Sequence, residues 1–293
     1  MSSAAVRRAA VLVVLGLAVT LTACSGGEDD AGSAASPSSP ASSGAATAGT
    51  TQPEAASTTG AASTAQPGEI TDAAQLAAVM TAAMREAGTA KLALVVTAGG
   101  ASVEGAGALK VGDDAAIQLA ATVAGRLVKV RVVGGDAYVS PGRSVMGKSW
   151  IKIDPDGGDT VSKTFAALVT GLRGVVGVSA VQTGFDKASS FKDLGARTIE
   201  GEQTHGYVVG LDEDALRAVI GRQTGGGDDV DLTGAKATYT VYLDDAGLPR
   251  RIATETTFGG RSTKHVADYT AWGSAVTIEP PPSSQVIDSS QVG

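Results

Sequence analysis

Apolar residues recur along 70–293 at two spacings, and the changes between them mark the elements. After Thr71-Asp72 come Gln75 and then Leu76, Val79, Met80, Ala83 and Met84 at intervals of three and four, closed by Gly88. A capping residue, one apolar stripe and a terminal glycine predict an amphipathic helix. Period-two segments follow at 90–98, 102–111, 115–123 and 126–133, divided by Gly99-Gly100, Gly112-Asp113-Asp114 and Ala124-Gly125, as in an antiparallel meander. Short strands are expected at Ala137-Tyr138-Val139 and Trp150-Ile151-Lys152-Ile153. Helical spacing returns over 161–177 through Phe165, Leu168, Val169, Leu172, Val175 and Val176, weakened by Gly171, Gly174 and Gly177. Strands resume at about 194–201 and 204–211, and a helix over 212–222 opens on Asp212, Glu213 and Asp214, where acids suit a helix N-terminus. Strands at about 236–243, 250–258 and 261–270 complete the pattern, with turns at Asp244-Asp245-Ala246-Gly247 and Gly259-Gly260.

The alternation is one-sided. Leu92, Leu94 and Val96, then Val103, Leu109 and Val111, then Ile117, Leu119 and Val123, then Val128, Val130 and Val132 share one parity, and Glu104, Lys110, Gln118, Lys129 and Arg131 take the other. About eleven strands at roughly 4.8 Å make a sheet about 50 Å wide, whereas three helices about 10 Å across cover about 30 Å of it. Such a sheet curls toward a barrel around its helices or leaves an apolar groove. Gly105 and Gly107 fall on the apolar parity, removing side-chain volume and permitting a bend. With eleven aromatic residues in the chain, the interior is left to Ala, Val and Leu, which leaves room for a cavity.

Composition divides the 293 residues into three parts. Arg7 and Arg8 precede an apolar run from Ala9 to Val19, too short to span a bilayer, and then Leu21-Thr22-Ala23-Cys24. That tetrapeptide looks like a bacterial lipobox, so 1–23 reads as a signal peptide and Cys24 as a lipidated N-terminus holding the protein on the extracytoplasmic face of the cell membrane. Residues 25–69 contain no Leu, Ile, Val, Phe, Lys or Arg, a composition expected to form a disordered tether with an r.m.s. reach of about 35–40 Å. The core-forming part is then 70–288, followed by a short tail at 289–293. The chain carries −7 overall; without the two leader arginines and the five acids of 25–69, the domain carries about −4, which disfavours nucleic acid as a partner. Its single cysteine lies outside the domain, excluding disulfides, Cys-based metal sites and a thiol nucleophile within it.

Candidate chemistry is sparse. His205 and His265 both sit in strand-like runs, and Gly142-Arg143-Ser144-Val145-Met146-Gly147 lacks the spacing of a nucleophile elbow. Asp154-Pro155-Asp156-Gly157-Gly158-Asp159 opens like a calcium loop, but Phe165 stands where the bidentate glutamate belongs, so turn chemistry is expected. Gly225-Gly226-Gly227-Asp228-Asp229 lacks the Lys-Ser/Thr of a phosphate loop. Trp150 and Trp272 are too isolated to form a stacking platform. No cofactor, metal site or enzymatic activity is expected.

Three stretches resemble the LppX/LprAFG-type actinobacterial cell-envelope lipoproteins: Gly147-Lys148-Ser149-Trp150-Ile151-Lys152-Ile153, Val241-Tyr242-Leu243-Asp244-Asp245-Ala246-Gly247-Leu248-Pro249, and Tyr269-Thr270-Ala271-Trp272-Gly273 running into Val276-Thr277-Ile278-Glu279-Pro280-Pro281. The resemblance implies an α+β half-barrel of the LolA-like carrier type, strongly curved and antiparallel, with helices packed in its concave face. It also implies a lipoprotein that binds the acyl chains of lipid or lipoglycan and carries them within the cell envelope, with a membrane transporter as a further partner. Sheet parity and the 161–177 helix then nominate the lipid-binding lining: Leu92, Leu94, Val96 and Leu109; Ile117, Leu119, Val128, Val130 and Val132; Phe165, Leu168 and Leu172. At about 0.8 kcal/mol per methylene, a sixteen-carbon chain needs an apolar lining able to match about 12 kcal/mol. The rival reading is a protein-binding or sensor module on the same fold, without lipid transport.

Overall fold

The computed structural model describes residues 69–154, 157–165, 169, 172, 179–224 and 231–292. The signal peptide, Cys24, the tether up to 68, Leu168 and the 225–229 loop lie outside these residues, as does most of the glycine-rich 171–177 stretch.

Helix α1 (Ala73–Ala87) begins at Asp72, whose carboxylate accepts the Gln75 N–H at 2.8 Å, and ends at Gly88 with φ +73°. The first meander is β1 (Thr89–Ala98), β2 (Ala101–Lys110), β3 (Ala116–Val123), β4 (Arg126–Val133), β5 (Asp136–Ser140) and β6 (Trp150–Ile153). Residues 160–165 are helical, and helix α2 (Ser179–Asp186) precedes β7 (Ser190–Ile199) and β8 (Glu202–Leu211). Helix α3 (Glu213–Thr224) leads into β9 (Lys236–Leu243), β10 (Pro249–Phe258) and β11 (Arg261–Thr270), and β12 (Val286–Asp288) comes last.

All twelve strands form one curved, unclosed sheet in the order β12-β6-β5-β4-β3-β2-β1-β11-β10-β9-β8-β7. Every adjacent pair is antiparallel except β12 on β6. The α+β half-barrel expected above is the architecture found, with β12 as an additional edge strand. Leu76, Met80 and Met84 of α1, Phe185 of α2, and Leu216 and Ile220 of α3 join one core with Leu92, Leu109, Ile117, Val132, Val209 and Val241 of the sheet. The helices therefore occupy the inner face.

Glycine permits the curvature of β2. A Cβ on Gly107 would stand 1.9 Å from the Gln118 carbonyl oxygen, whereas one on Gly105 would meet its nearest atom, the Ala120 oxygen, at 3.1 Å. A side chain at Gly107 would thus collide with the β3 backbone, more severely than one at Gly105.

A C-terminal strap holds the outer face. Gly273 N–H donates to the Thr89 carbonyl at 2.9 Å, and Val276 and Ile278 pack with Ala108, Ala116 and Val133 on the side away from the helices. Arg131 donates to the Glu279 carbonyl at 3.1 Å and lies over the Trp150 ring, 4.9 Å from its centroid; Lys148 Nζ then donates to the Ser284 carbonyl at 2.7 Å. This crossing explains why β12 runs parallel to β6, since the chain returns over the sheet instead of turning back in a hairpin. Ser289–Gln291 forms a 3-10 turn after β12, and Ser289 is buried, its hydroxyl 2.8 Å from that of Ser162.

Replacing Gly107 by alanine is expected to lower the urea midpoint by the equivalent of about 1–3 kcal/mol, with Gly105→Ala costing less. Equal midpoints for the two variants would refute the close approach as the cause.

Candidate functional site

The inner face is not sealed uniformly. Cross-strand register aligns its residues in rows, and burial changes from row to row. Ala90, Leu109, Ile117, Val132, Ala137 and Ile153 form one row, and all are buried. In the next row Tyr269, Leu92, Leu119, Val130, Val139 and Ile151 are also buried, with the bend residue Gly107 between Leu92 and Leu119. The row after that differs. Ile252, Ala267, Leu94, Gly105, Ala121 and Val128 are mutual register partners across β10, β11, β1, β2, β3 and β4, and all six are partly exposed. One step further, Thr254, His265 and Val96 are buried again.

The result is an apolar trough across six strands. Side-chain size contributes at two of its positions, where Ala267 and Ala121 stand against Tyr269 and Leu119 of the neighbouring row. Five strand spacings make it about 24 Å long, against about 15 Å for the acyl chain of one leaflet.

Charge is kept off this surface. Arg251 is hydrogen-bonded to Asp268 on the opposite parity of the sheet and forms an ion pair at 3.1 Å with Glu200 of the β7–β8 turn. On the inner face, burial moves the titrating groups toward their neutral forms: His265 is pulled down to about 4, and Tyr269 is pushed up to about 12 by burial and then by Asp268. Tyr239, edge-on to Phe185 with ring centroids 5.4 Å apart, is also raised by burial. The trough row itself carries no charged side chain; the charged residues of inner parity, Asp193 and the strand-tip Arg126 and Arg261, lie outside that row. A depression of about 530 Å³ lined by Lys110, Asp113 and Asp114 together with Ala116, Val133 and Ile278 does not include the trough residues.

The nominated lining residues separate by row. Leu94 and Val128 lie in the trough, and Val96 is in the row beside it. Leu92, Leu119 and Val130 are in the first sealed row, Leu109, Ile117 and Val132 in the second. Phe165 is partly exposed against the core and Leu172 is buried. Ile252 and Ala267 were not nominated, because His265, Thr254 and Thr256 interrupt the apolar alternation of β10 and β11. Gly105 was visible only as missing volume.

The other candidates have structural roles. His205 sits three strands from His265, roughly 14 Å away in sheet spacing. It pairs with Asp193 at 2.6 Å and stacks on Tyr207 with ring centroids 4.9 Å apart. Asp193 is held below the usual carboxylate range by the Gly195 backbone N–H and then by His205. Asp159 caps the helical turn at 160–165, accepting the Ser162 N–H at 2.7 Å and the Ser289 hydroxyl at 3.2 Å. Trp272 donates to the Pro249 carbonyl at 2.9 Å and stacks on Tyr269, and Asp244 accepts the N–H groups of Ala246 and Leu248 at 3.0 Å each. Among the described residues no cluster of three or more His, Cys, Asp or Glu side chains could hold a metal ion, and no helix is long and apolar enough to cross a membrane.

No family model matches the chain, and no curated protein matches it. Solved structures do resemble it in fold. The Mycobacterium tuberculosis lipoprotein LppX is 13% identical with a TM-score of 0.45, over 71% of this chain and 98% of that one. LprF from Mycobacterium bovis is 15% identical with a TM-score of 0.43, over 71% and 96%. A LolA superfamily protein from Nitrosomonas europaea is 10% identical with a TM-score of 0.23, over 70% and 96%. Likeness at this level concerns the course of the chain; ligands, partners and sites do not transfer with it.

Buried His265 makes stability depend on pH. The unfolded chain binds a proton near the ordinary pKa of 6.5 and the folded chain only near 4, so this contribution is full above pH 6.5 and lost as pH falls toward 4. The loss is of the order of 3 kcal/mol. Urea midpoints at pH 7 and pH 4.5 should fall more steeply for the wild type than for His265→Leu; parallel slopes would refute the shift.

Proposed function

We propose that this protein is a non-enzymatic lipoprotein that is tethered to the cell membrane through Cys24, holds an acyl chain in the trough, and carries it within the cell envelope. The trough supports this reading: a continuous, uncharged row of apolar residues on the face that also receives the helices. Burying an alkyl chain there needs no reacting group, only apolar area at about 25 cal/mol per Å². The tether keeps the domain near its membrane source at high effective concentration. The chains carried are those of lipids or lipoglycans, passed to or received from a membrane partner.

Strand addition by a protein partner is the less favoured reading. The edge strand β7 carries a bulge between Asp193 and Gly195, with exposed Lys192 and Arg197 along it, features that blunt an edge against pairing.

Native mass spectrometry of the purified full chain should find bound acyl lipid, and Leu94→Trp should reduce the occupancy at least about tenfold while leaving the fold intact, because the row is partly open. A chain that stays empty when offered diacyl lipids and lipoglycans, or a Leu94→Trp protein loaded like the wild type, would overturn the proposal. Cys24→Ser should shift the protein from the membrane fraction to the soluble fraction. Retention in the membrane fraction would refute the anchor.

A further inference from the structure

Charged groups at the two ends of the strands are sorted by sign. Strands β1, β3, β5 and β10 finish, and β2, β4, β6 and β11 start, at one end, so the connections 99–100, 124–125, 141–149 and 259–260 lie there side by side in sheet order. Taken with the strand residue on either side, they contain Arg126, Arg143, Lys148 and Arg261 and no Asp or Glu. The three arginines are exposed, and among the described residues none of the four cations has an ion-pair partner. The same measure at the other end finds Asp113 and Asp114 with Lys110, then Asp136, Glu200 with Glu202, and Asp244 with Asp245. Leu127 and Met146, 49% and 71% exposed, both lie at the basic end. Their loops adjoin, since a Cβ on Gly142 would stand 2.7 Å from the Leu127 carbonyl oxygen. Val145 and Lys148 exchange backbone hydrogen bonds at 2.8 and 2.9 Å, closing a two-residue turn in which Met146 (φ +50°) and Gly147 (φ +78°) are both left-handed. Such a turn favours Asn-Gly, so methionine at its tip is disfavoured by its backbone as well as by its contact with water.

We propose that this end of the sheet is a docking rim for the surface of an anionic phospholipid bilayer: Arg126, Arg143, Lys148 and Arg261 meet lipid phosphates while Met146 and Leu127 enter the boundary between headgroups and acyl chains. The inference goes beyond the acyl-binding reading and holds whether or not the trough takes a guest. Distance decides how a domain of about −4 can approach such a surface. Strand β1 is ten residues long, about 33 Å, so the acids of the far end stand roughly four screening lengths away at about 8 Å each. The nearest acids along these strands, Glu104 and Glu255, are four residues from Gly100 and Gly259, roughly 13 Å, and Glu255 opposes Lys264. Asp212 and Glu213, at the same end as the rim, follow β8, two strands beyond β10; Asp212 caps α3 at the Ala215 N–H and Glu213 pairs with Arg217. The rim cations therefore act unopposed in one orientation, which turns the acidic end away from the membrane. Strand ends offer no ladder for a protein partner to pair with, and apolar tips set among cations suit a fluid interface.

The chain from residue 24 onward with Cys24→Ser keeps every described residue and lacks both leader and lipid anchor, so its co-sedimentation with vesicles reports the rim. It should bind vesicles of equal parts phosphatidylglycerol and phosphatidylcholine, release them in molar salt, and bind pure phosphatidylcholine far more weakly. Replacing Arg126, Arg143 and Arg261 together by glutamine should weaken binding about a hundredfold; all three are exposed, so the core is untouched. Removing the same charge at the other end, through Arg85→Gln, Lys91→Gln and Lys110→Gln, should change it less than about threefold. Met146→Asn should raise the urea midpoint, because asparagine suits the turn, and yet weaken vesicle binding about fivefold. Equal losses from the two triple replacements, equal binding to the two kinds of vesicle, or binding to neither would overturn the rim. A Met146→Asn protein bound like the wild type would overturn the entry of the tip. Lipid occupancy by native mass spectrometry is independent of every one of these outcomes, so failure of the rim and failure of the trough are read separately.

Discussion

The registration of β1 between β2 and β11 is the constraint from which the rest of the inner face follows. It joins two meanders made far apart in the chain, setting Leu94 opposite Gly105 on one side and Ala267 on the other. A one-residue slip on either side would bring outward-facing Val95, Asp268 or Glu104 to the inner surface and scatter the small residues. With the observed register, Ala267, Gly105 and Ala121 fall in one row with Ile252, Leu94 and Val128, and the row becomes a continuous trough.

The two faces divide the work of the fold. The strap, the Arg131–Trp150 contact and the Arg251–Asp268–Glu200 cluster place directional and charged interactions outside. There water screens them and they hold the curvature without charging the interior. Inside, burial keeps His265, Tyr239 and Tyr269 in their neutral forms. The charge-poor trough is a consequence of that separation, which the strict parity of the strands enforces.

Much of the fold was legible because period-two alternation is strong in β1 to β4 and in β9. The expected segments 126–133 and 236–243 coincide with β4 and β9. Strand β7 begins at Ser190, earlier than expected, because Lys192, Asp193 and the bulge hide its period. Strand β12 is three residues long and pairs in parallel through a strap, so it offers no local alternation and no hairpin turn. Helix α2 is a separate eight-residue element beyond the helical pattern read over 161–177.

The sequence by itself determined which face each strand residue takes, because side chains alternate with a period of two whatever the partner strand. It also placed Leu94 and Val128 on the apolar side and marked Gly105 as absent volume there. Which residues share a row was decided only by the tertiary structure, since the row depends on strand register and its two halves meet where β1 pairs with β11, distant in the chain. For the same reason Ile252 and Ala267 entered the trough unannounced, and His265 met Val96 only when β11 was laid against β1.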